Sequence, residues 1–159
     1  MGHTMQQKNS RPVIVAVSGG FDPPHVGHVR MFKEARALGT KLIVILNNDN
    51  WLLKKKGYVF MPELERKEMI ESFGCVDEVL LTKHSADPVD MSVCEALASV
   101  KPNIFANGGD RQLHNIPEAE VCKNMACKMV FNVGFGGKVQ SSSSLVQKAH
   151  AQQKSGLSP

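Results

Sequence analysis

His25 and His28 are the residues of this chain best spaced for chemistry. They stand three positions apart in Ser18-Gly19-Gly20-Phe21-Asp22-Pro23-Pro24-His25-Val26-Gly27-His28, directly behind the apolar run Val13–Val17. That spacing puts both imidazoles on one face of a helical turn beginning near Val26. The first N–H groups of such a helix form an anion site, and glycines let the backbone pass close to a phosphate. Two imidazole donors aimed at the same point as a helix N-terminus suit the handling of phosphate. The alternative is a plain strand–turn–helix joint with surface histidines, in which Gly-Gly, Pro-Pro and both histidines coincide by accident. Asp22 either orients one histidine or caps the turn, and it is left out of the catalytic set.

The elements that must position this turn are read from hydrophobic period and punctuation. Val13–Val17 is a buried strand; Val26 to Leu38 is a helix with Val29, Phe32, Ala35 and Leu38 at helical spacing, ended by Gly39. Lys41–Leu46 is a second buried strand, Asn47-Asn48-Asp49-Asn50 a loop, and residues 51–60 show no clear period. A helix follows from Pro62 to about Phe73, then a strand Val76–Leu81, a helix Pro88 to Val100 and a strand Asn103–Ala106. Pro117–Met125 is a helix and Met129–Val133 a fifth strand. Ser141–Ser144 caps a last helix to about His150, and Gln152 to Pro159 reads as a disordered tail. Five alternations of strand and helix predict an α/β fold, a single doubly wound, Rossmann-like domain over residues 12–150 with flexible ends at 1–11 and 152–159. Ligands of such sheets sit at the strands' carboxyl ends. The unusual stretches 18–28, 47–57, 107–111 and 134–144 all fall there.

Totals exclude several classes. The chain has 159 residues, is 42% hydrophobic and carries a net charge of +4, enough for one cored domain and an anionic substrate. That charge falls short of a nucleic-acid binder, and one Trp and one Tyr leave little for base stacking. Cys75, Cys94, Cys122 and Cys127 are scattered, with no zinc spacing and no disulfide framework, so a reducing compartment is expected and no metal-ligand set is predicted. The polar start is no signal peptide, Gln6 breaks the myristoylation pattern, and no apolar run reaches spanning length. A cytoplasmic protein is the expectation, with no membrane and no nucleic-acid partner.

Three further stretches could join the histidines. Lys54-Lys55-Lys56 lies after the second strand, where a mobile lysine would reach a triphosphate or acceptor phosphate; as a bare pattern it is equally a solvated charge run. Gly108-Gly109-Asp110 would present backbone N–H groups, with Asp110 on Mg²⁺ or a ribose hydroxyl, yet Gly-Gly-Asp is also an everyday turn. Ser141, Ser142 and Ser143 at a helix N-terminus would bind β- and γ-phosphates, or belong to a low-complexity linker.

Phe21-Asp22-Pro23-Pro24-His25-Val26-Gly27-His28 resembles the HxGH signature of the cytidylyltransferase-like nucleotidyltransferase superfamily, and the likeness extends over roughly residues 12–150. The glycerol-3-phosphate cytidylyltransferase and heptose-phosphate adenylyltransferase groups are the most similar. The resemblance implies His25 and His28 as catalytic donors and places Gly19, Gly20, Phe21 and Gly27 against the nucleotide. It sets Lys55 on a substrate-phosphate lysine and Arg66, in Glu65-Arg66-Lys67, in the nucleotide pocket, the two joining the catalytic set as clamps on acceptor and triphosphate. Gly109 and Asp110 look like the family's G-G-D or G-D-D motif, and Ser141, Ser142 and Ser143 like its I-S-T-T motif. Val76-Asp77-Glu78-Val79 matches a family strand. The chain departs at Asn107, where a lysine is common, at Gln140, where isoleucine is usual, and at Val146, where several adenylyltransferases have arginine.

The implied reaction is transfer of CMP from CTP, with Mg²⁺, onto a small phosphorylated or phosphonate acceptor such as glycerol 3-phosphate or a sugar phosphate. Adenylyl transfer from ATP is the near alternative, and the Gly-Gly-Phe-Asp-Pro-Pro-His form has that flavour. A phosphate oxygen is already anionic, so neither a general base nor a covalent nucleophile is needed. Small members of the family are commonly homodimers, and a homodimer is expected here. A dinucleotide-binding domain would explain the alternation but lacks G-x-G-x-x-G. A non-catalytic nucleotide-binding regulatory domain is the rival of another class, and a full tRNA synthetase is excluded by length.

Overall fold

The computed structural model of the chain describes residues 11–109, 116–134 and 142–156. Strands β1 (Ile14–Gly19), β2 (Lys41–Leu46), β3 (Glu78–Leu81), β4 (Ile104–Ala106) and β5 (Lys128–Val130) form one parallel sheet in the order β3-β2-β1-β4-β5. Helices are α1 (Val26–Ala37), α2 (Asp49–Lys56), α3 (Glu63–Glu71), α4 (Cys94–Val100), α5 (Glu118–Asn124) and α6 (Ser142–Ser155). The α/β, doubly wound expectation holds.

β1 and β2 read as unbroken apolar runs because both of their faces are covered. Val15, Val17, Leu42, Val44 and Leu46 pack beneath Phe32 and Ala35 of α1 and Ile70 of α3. The alternate residues Ala16, Ile45 and Phe105 meet Val93, Leu97 of α4, and Cys122 of α5. The chain winds outward through β2 and β3, then crosses back to lay β4 on the other side of β1. The switch point is therefore the carboxyl end of β1, where the histidine turn begins. Gly19 pairs with Leu46, so that turn and the start of α2 leave the sheet side by side.

Several boundaries differ from the expectation. The Asn47–Asn50 loop is instead the start of α2: Asn48 is its N-cap, accepting the Trp51 N–H through its side chain at 3.0 Å. The lysine run is the C-terminal turn of that helix rather than a loop, and Gly57 closes it at φ 84°. α2 hid from the period because Leu52 is its one buried side chain. Asn48 and Asn50 both donate to the His84 carbonyl, which ties α2 to the segment after β3. β3 begins at Glu78, α4 at Cys94 and β5 at Lys128, each shorter or shifted from the expected span. α6 runs through Ser155, so residues 152–155 are helical rather than disordered. The four cysteines are free thiols; burial pushes Cys122 up to about 12, which leaves it an inert part of the core.

Candidate active site

His25 is the N-cap of α1, in extended conformation, and its Nδ1 accepts the Gly27 N–H at 3.1 Å. The His28 Nδ1 in turn accepts the His25 N–H at 3.1 Å. The two form a reciprocal capping box in which imidazoles stand where Ser and Glu usually do. Each Nδ1 is used as an acceptor, so the proton of each neutral ring sits on Nε2, on the edge turned away from the backbone. The rings are stacked, 3.7 Å between centroids and 25° between planes. Gly27 is needed beneath them: a Cβ there would lie 2.9 Å from the His25 Cε1.

Both rings are held neutral. Burial lowers His25, and burial, then the His25 charge, then Lys56, push His28 down to about 3. Phe21 supplies much of the apolar wall, edge-on to His28 at 4.7 Å and to Phe32 at 5.1 Å. The site thus offers two preset N–H donors on an apolar support, a form that stabilises negative charge appearing on a ligand without reorganising.

The remaining parts of the turn are fastened down. Asp22 is fully buried and accepts the Phe60 N–H at 2.7 Å and the Met61 N–H at 2.6 Å. Arg66, buried in α3, donates from Nε to the Met61 carbonyl, from one terminal nitrogen to the Gly20 and Asn47 carbonyls, and from the other to Asp49 at 2.7 Å. Its side chain is 0% exposed. Arg66 therefore joins the glycine turn to the end of β2 from beneath, and four of its five N–H groups already have partners. The guanidinium expected to clamp a triphosphate is here engaged with the turn, with one N–H left over. Gly19 and Gly20 leave no room for a side chain: a methyl group on Gly19 would meet the Phe21 ring at 2.8 Å. One on Gly20 would meet Leu52 Cδ2 at 2.8 Å and the Trp51 ring at 3.3 Å.

The other candidates gather unevenly. Ser142 opens α6 and donates from Oγ to the Pro23 carbonyl at 2.9 Å, bringing the N-terminus of that helix to the histidine turn. Ser143 lines a cavity between α6 and the end of α2, together with Lys55 and Lys56. Lys55 is exposed on that cavity, whereas Lys56 leans on the turn, its Nζ 3.5 Å from the Asp22 carbonyl. Burial lowers the Lys56 ammonium against the pull of Asp22, and Arg66 lowers it further. Lys56 was missed from the sequence. It sits four residues beyond Leu52, on the same face of the helix, and recognising α2 as a helix would have found it. Gly109 is in the left-handed region at φ 66° beside open space. Asn107, where a family lysine would stand, is buried and donates to the Phe105 carbonyl. Asp110, Ser141 and Gln140 lie outside the described residues.

A family model described as cytidylyltransferase-like matches residues 16–134, from within β1 through the segment after β5. The chain belongs to the cytidylyltransferase-like family. Among curated relatives, this family member is 35% identical over 103 residues to an FAD synthase of Pyrococcus abyssi, covering 64% of this chain and 66% of that protein. It is 32% identical over 124 residues to the bifunctional protein HldE of Citrifermentans bemidjiense, covering 76% of this chain but 24% of that protein. The chain thus spans about two thirds of one and a quarter of the other. Among solved structures, the lipopolysaccharide core biosynthesis protein of Thermoplasma volcanium overlays with a TM-score of 0.62 at 26% identity, over 78% of this chain and 98% of that one. The family is a superfamily of nucleotidyltransferases, which is the chemistry the HxGH turn implied.

Proposed function

We propose that this protein is an adenylyltransferase that moves AMP from ATP onto the phosphate of a small acceptor and releases pyrophosphate. The observation that carries nucleotidyl transfer is the pair of neutral, backbone-locked imidazoles at the switch point of the sheet, beside the N-terminus of α6. An oxygen of the acceptor phosphate forms a bond to the α-phosphorus in line, and the bond from the α-phosphorus to the β-bridging oxygen breaks. The electron pair leaves with pyrophosphate, and no proton has to move. His25 and His28 donate from Nε2 as charge builds on the bridging and α-phosphate oxygens, and Lys56 adds a cation at the same turn.

ATP is favoured over CTP by the relatives. FAD is an AMP unit joined to a flavin phosphate, so an FAD synthase makes an adenylyl bond. The likeness of Val76-Asp77-Glu78-Val79 to cytidylyltransferases says little about the donor. Asp77 accepts the Leu42 N–H and pairs with Arg36 at 2.9 Å, which fastens the amino end of the sheet, away from the site. Mg²⁺ is read as the ion carried by the triphosphate. The acid inside the turn, Asp22, has both oxygens committed to N–H groups and does not fit a resident metal. Homodimerisation and a cytoplasmic setting belong to the same reading. No helix among the described residues is long and apolar enough to cross a membrane.

The test is pyrophosphate release with ATP or CTP and a panel of flavin, sugar and glycerol phosphates. Turnover with ATP is expected. Turnover with CTP alone moves the donor to the cytidylyl reading, and none with either nucleotide overturns enzymatic transfer.

A further inference from the structure

α2 carries three groups that reach the histidine turn. The Trp51 ring would touch a Cβ on Gly20 at 3.3 Å, Asp49 pairs with Arg66 at 2.7 Å, and the Lys56 Nζ is 3.5 Å from the Asp22 carbonyl. The start of that helix is held from outside the site by His84, in the segment between β3 and α4. The His84 carbonyl accepts the side-chain amides of Asn48 and Asn50 at 2.8 and 2.9 Å. Its ring lies 2.9 Å through Nδ1 from the Thr82 hydroxyl and 3.0 Å through Nε2 from the Ser92 carbonyl. Thr82, buried just past the end of β3, accepts the backbone N–H of the N-cap Asn48 at 3.0 Å.

These contacts run in one direction. A carbonyl only accepts, so the neutral ring carries its proton on Nε2, for Ser92. Nδ1 is then bare, and the Thr82 hydroxyl must donate to it. The Thr82 oxygen is left to take the Asn48 N–H, one of the first donors of α2, which have no partner within the helix. A second proton on the ring breaks this relay. Nδ1 becomes a donor facing a donor, and the hydroxyl, forced to turn away, has no other bonded acceptor among the described residues. The charges around the ring do not relieve the conflict. Asp90 is bonded to the Ser92 N–H, and Lys83 and Glu95 line the cavity beside the ring. On α2, Lys54 pairs with Asp87 and Asp49 with Arg66.

We infer that His84 is a positioning residue for the transfer reaction: its neutral ring, acting through Thr82 and Asn48, seats α2 against the histidine turn, and protonation of the ring loosens that seat. Trp51, Asp49 and Lys56 then move together, because all three ride on the helix that Asn48 caps. The inference rests on the transferase reading for its consequence in turnover, and on geometry alone for its effect on α2.

Two variants separate the ring's proton from its bulk. His84→Asn sets an amide oxygen where Nδ1 stands, keeps an acceptor for the Thr82 hydroxyl and cannot titrate; His84→Ala has no acceptor there. Melting curves check that each is folded. The full chain and both variants are followed between about pH 8 and 5, the range in which imidazoles change charge, by two-dimensional NMR and by pyrophosphate release from ATP. In the native protein the Gly20 amide resonance, beyond Trp51, is expected to shift with the same midpoint as the His84 ring. Native kcat, taken relative to His84→Asn so that the titration of the substrates cancels, is expected to fall about tenfold towards pH 5, with KM for ATP changed less than about twofold. His84→Asn is expected to keep native turnover at pH 8 and to lose the Gly20 shift, and His84→Ala to be about tenfold low in kcat throughout. A His84 ring that keeps one protonation state across this range, or that titrates while Gly20 stays still, overturns the inference. So does a Gly20 shift that persists in His84→Asn, or a native turnover profile in both variants. If the native protein releases no pyrophosphate, the transferase reading fails, and the Gly20 resonance still decides whether His84 seats α2.

Discussion

The histidine turn and the wall at residues 58–60 are neighbours built on opposite plans. In the turn, His28 accepts the His25 N–H and His25 the Gly27 N–H, Asp22 holds two amides, and Arg66 holds three carbonyls and a carboxylate. On the wall, Tyr58 and Phe60 stand out in solvent, and the Phe60 N–H is tied to Asp22. The first arrangement fixes where charge is stabilised, because donors that are already ordered lose no entropy when the reaction begins. The second leaves room for side-chain change without disturbing that geometry. One scaffold can therefore keep its turn fixed while the neighbouring surface varies.

Substitutions on the two sides should sort by this difference. Arg66→Met should destabilise most, by about 3–5 kcal/mol in urea unfolding, because it strands Asp49 and three carbonyls. Intact stability with weakened nucleotide affinity would return Arg66 to the role of a ligand clamp. His28→Ala should cost about 10²–10³ in turnover while a folded protein remains. Near-normal turnover would break the comparison at its centre. Asp22→Ala should cost about 2 kcal/mol in stability by leaving the Phe60 and Met61 amides unpaired.

A further test is a pH dependence. His28 has a folded pKa of about 3 against an ordinary value of 6.5, so the unfolded chain binds the extra proton first. Its contribution to stability is whole above pH 6.5 and is lost as pH falls towards 3. Melting temperature should decline across that window, and the His28 ring resonance should not titrate near 6.5. A midpoint near 6.5 would mean the ring is free in water rather than locked.

Sequence and structure agree where one pattern controls one element. β2 is Lys41–Leu46 in both, because a continuous apolar strand between two helical layers has a single reading. α2 was missed for the opposite reason: one buried residue gives no period, and a capping Asn48 within a run of Asn and Asp looks like loop. The tight pairing of His25 with His28 followed from their spacing, though His25 caps the helix rather than sitting inside it. The roles of Arg66 and Asp22 could not be read from the chain. Each depends on partners distant along the chain, Gly20 for Arg66 and Phe60 for Asp22, which only the fold brings together. An arginine that grips a ligand and one that grips the backbone have the same letter.

Trp51, the chain's one tryptophan, packs over Gly20 and donates its indole N–H to the Met91 carbonyl at 2.9 Å. The protein thereby carries its own optical gauge. A single emitter, fixed against the glycine turn and bonded to a segment on the far side of α2, reports polarity and motion at one known place. Its emission colour and anisotropy can follow each step of nucleotide and acceptor loading without a label.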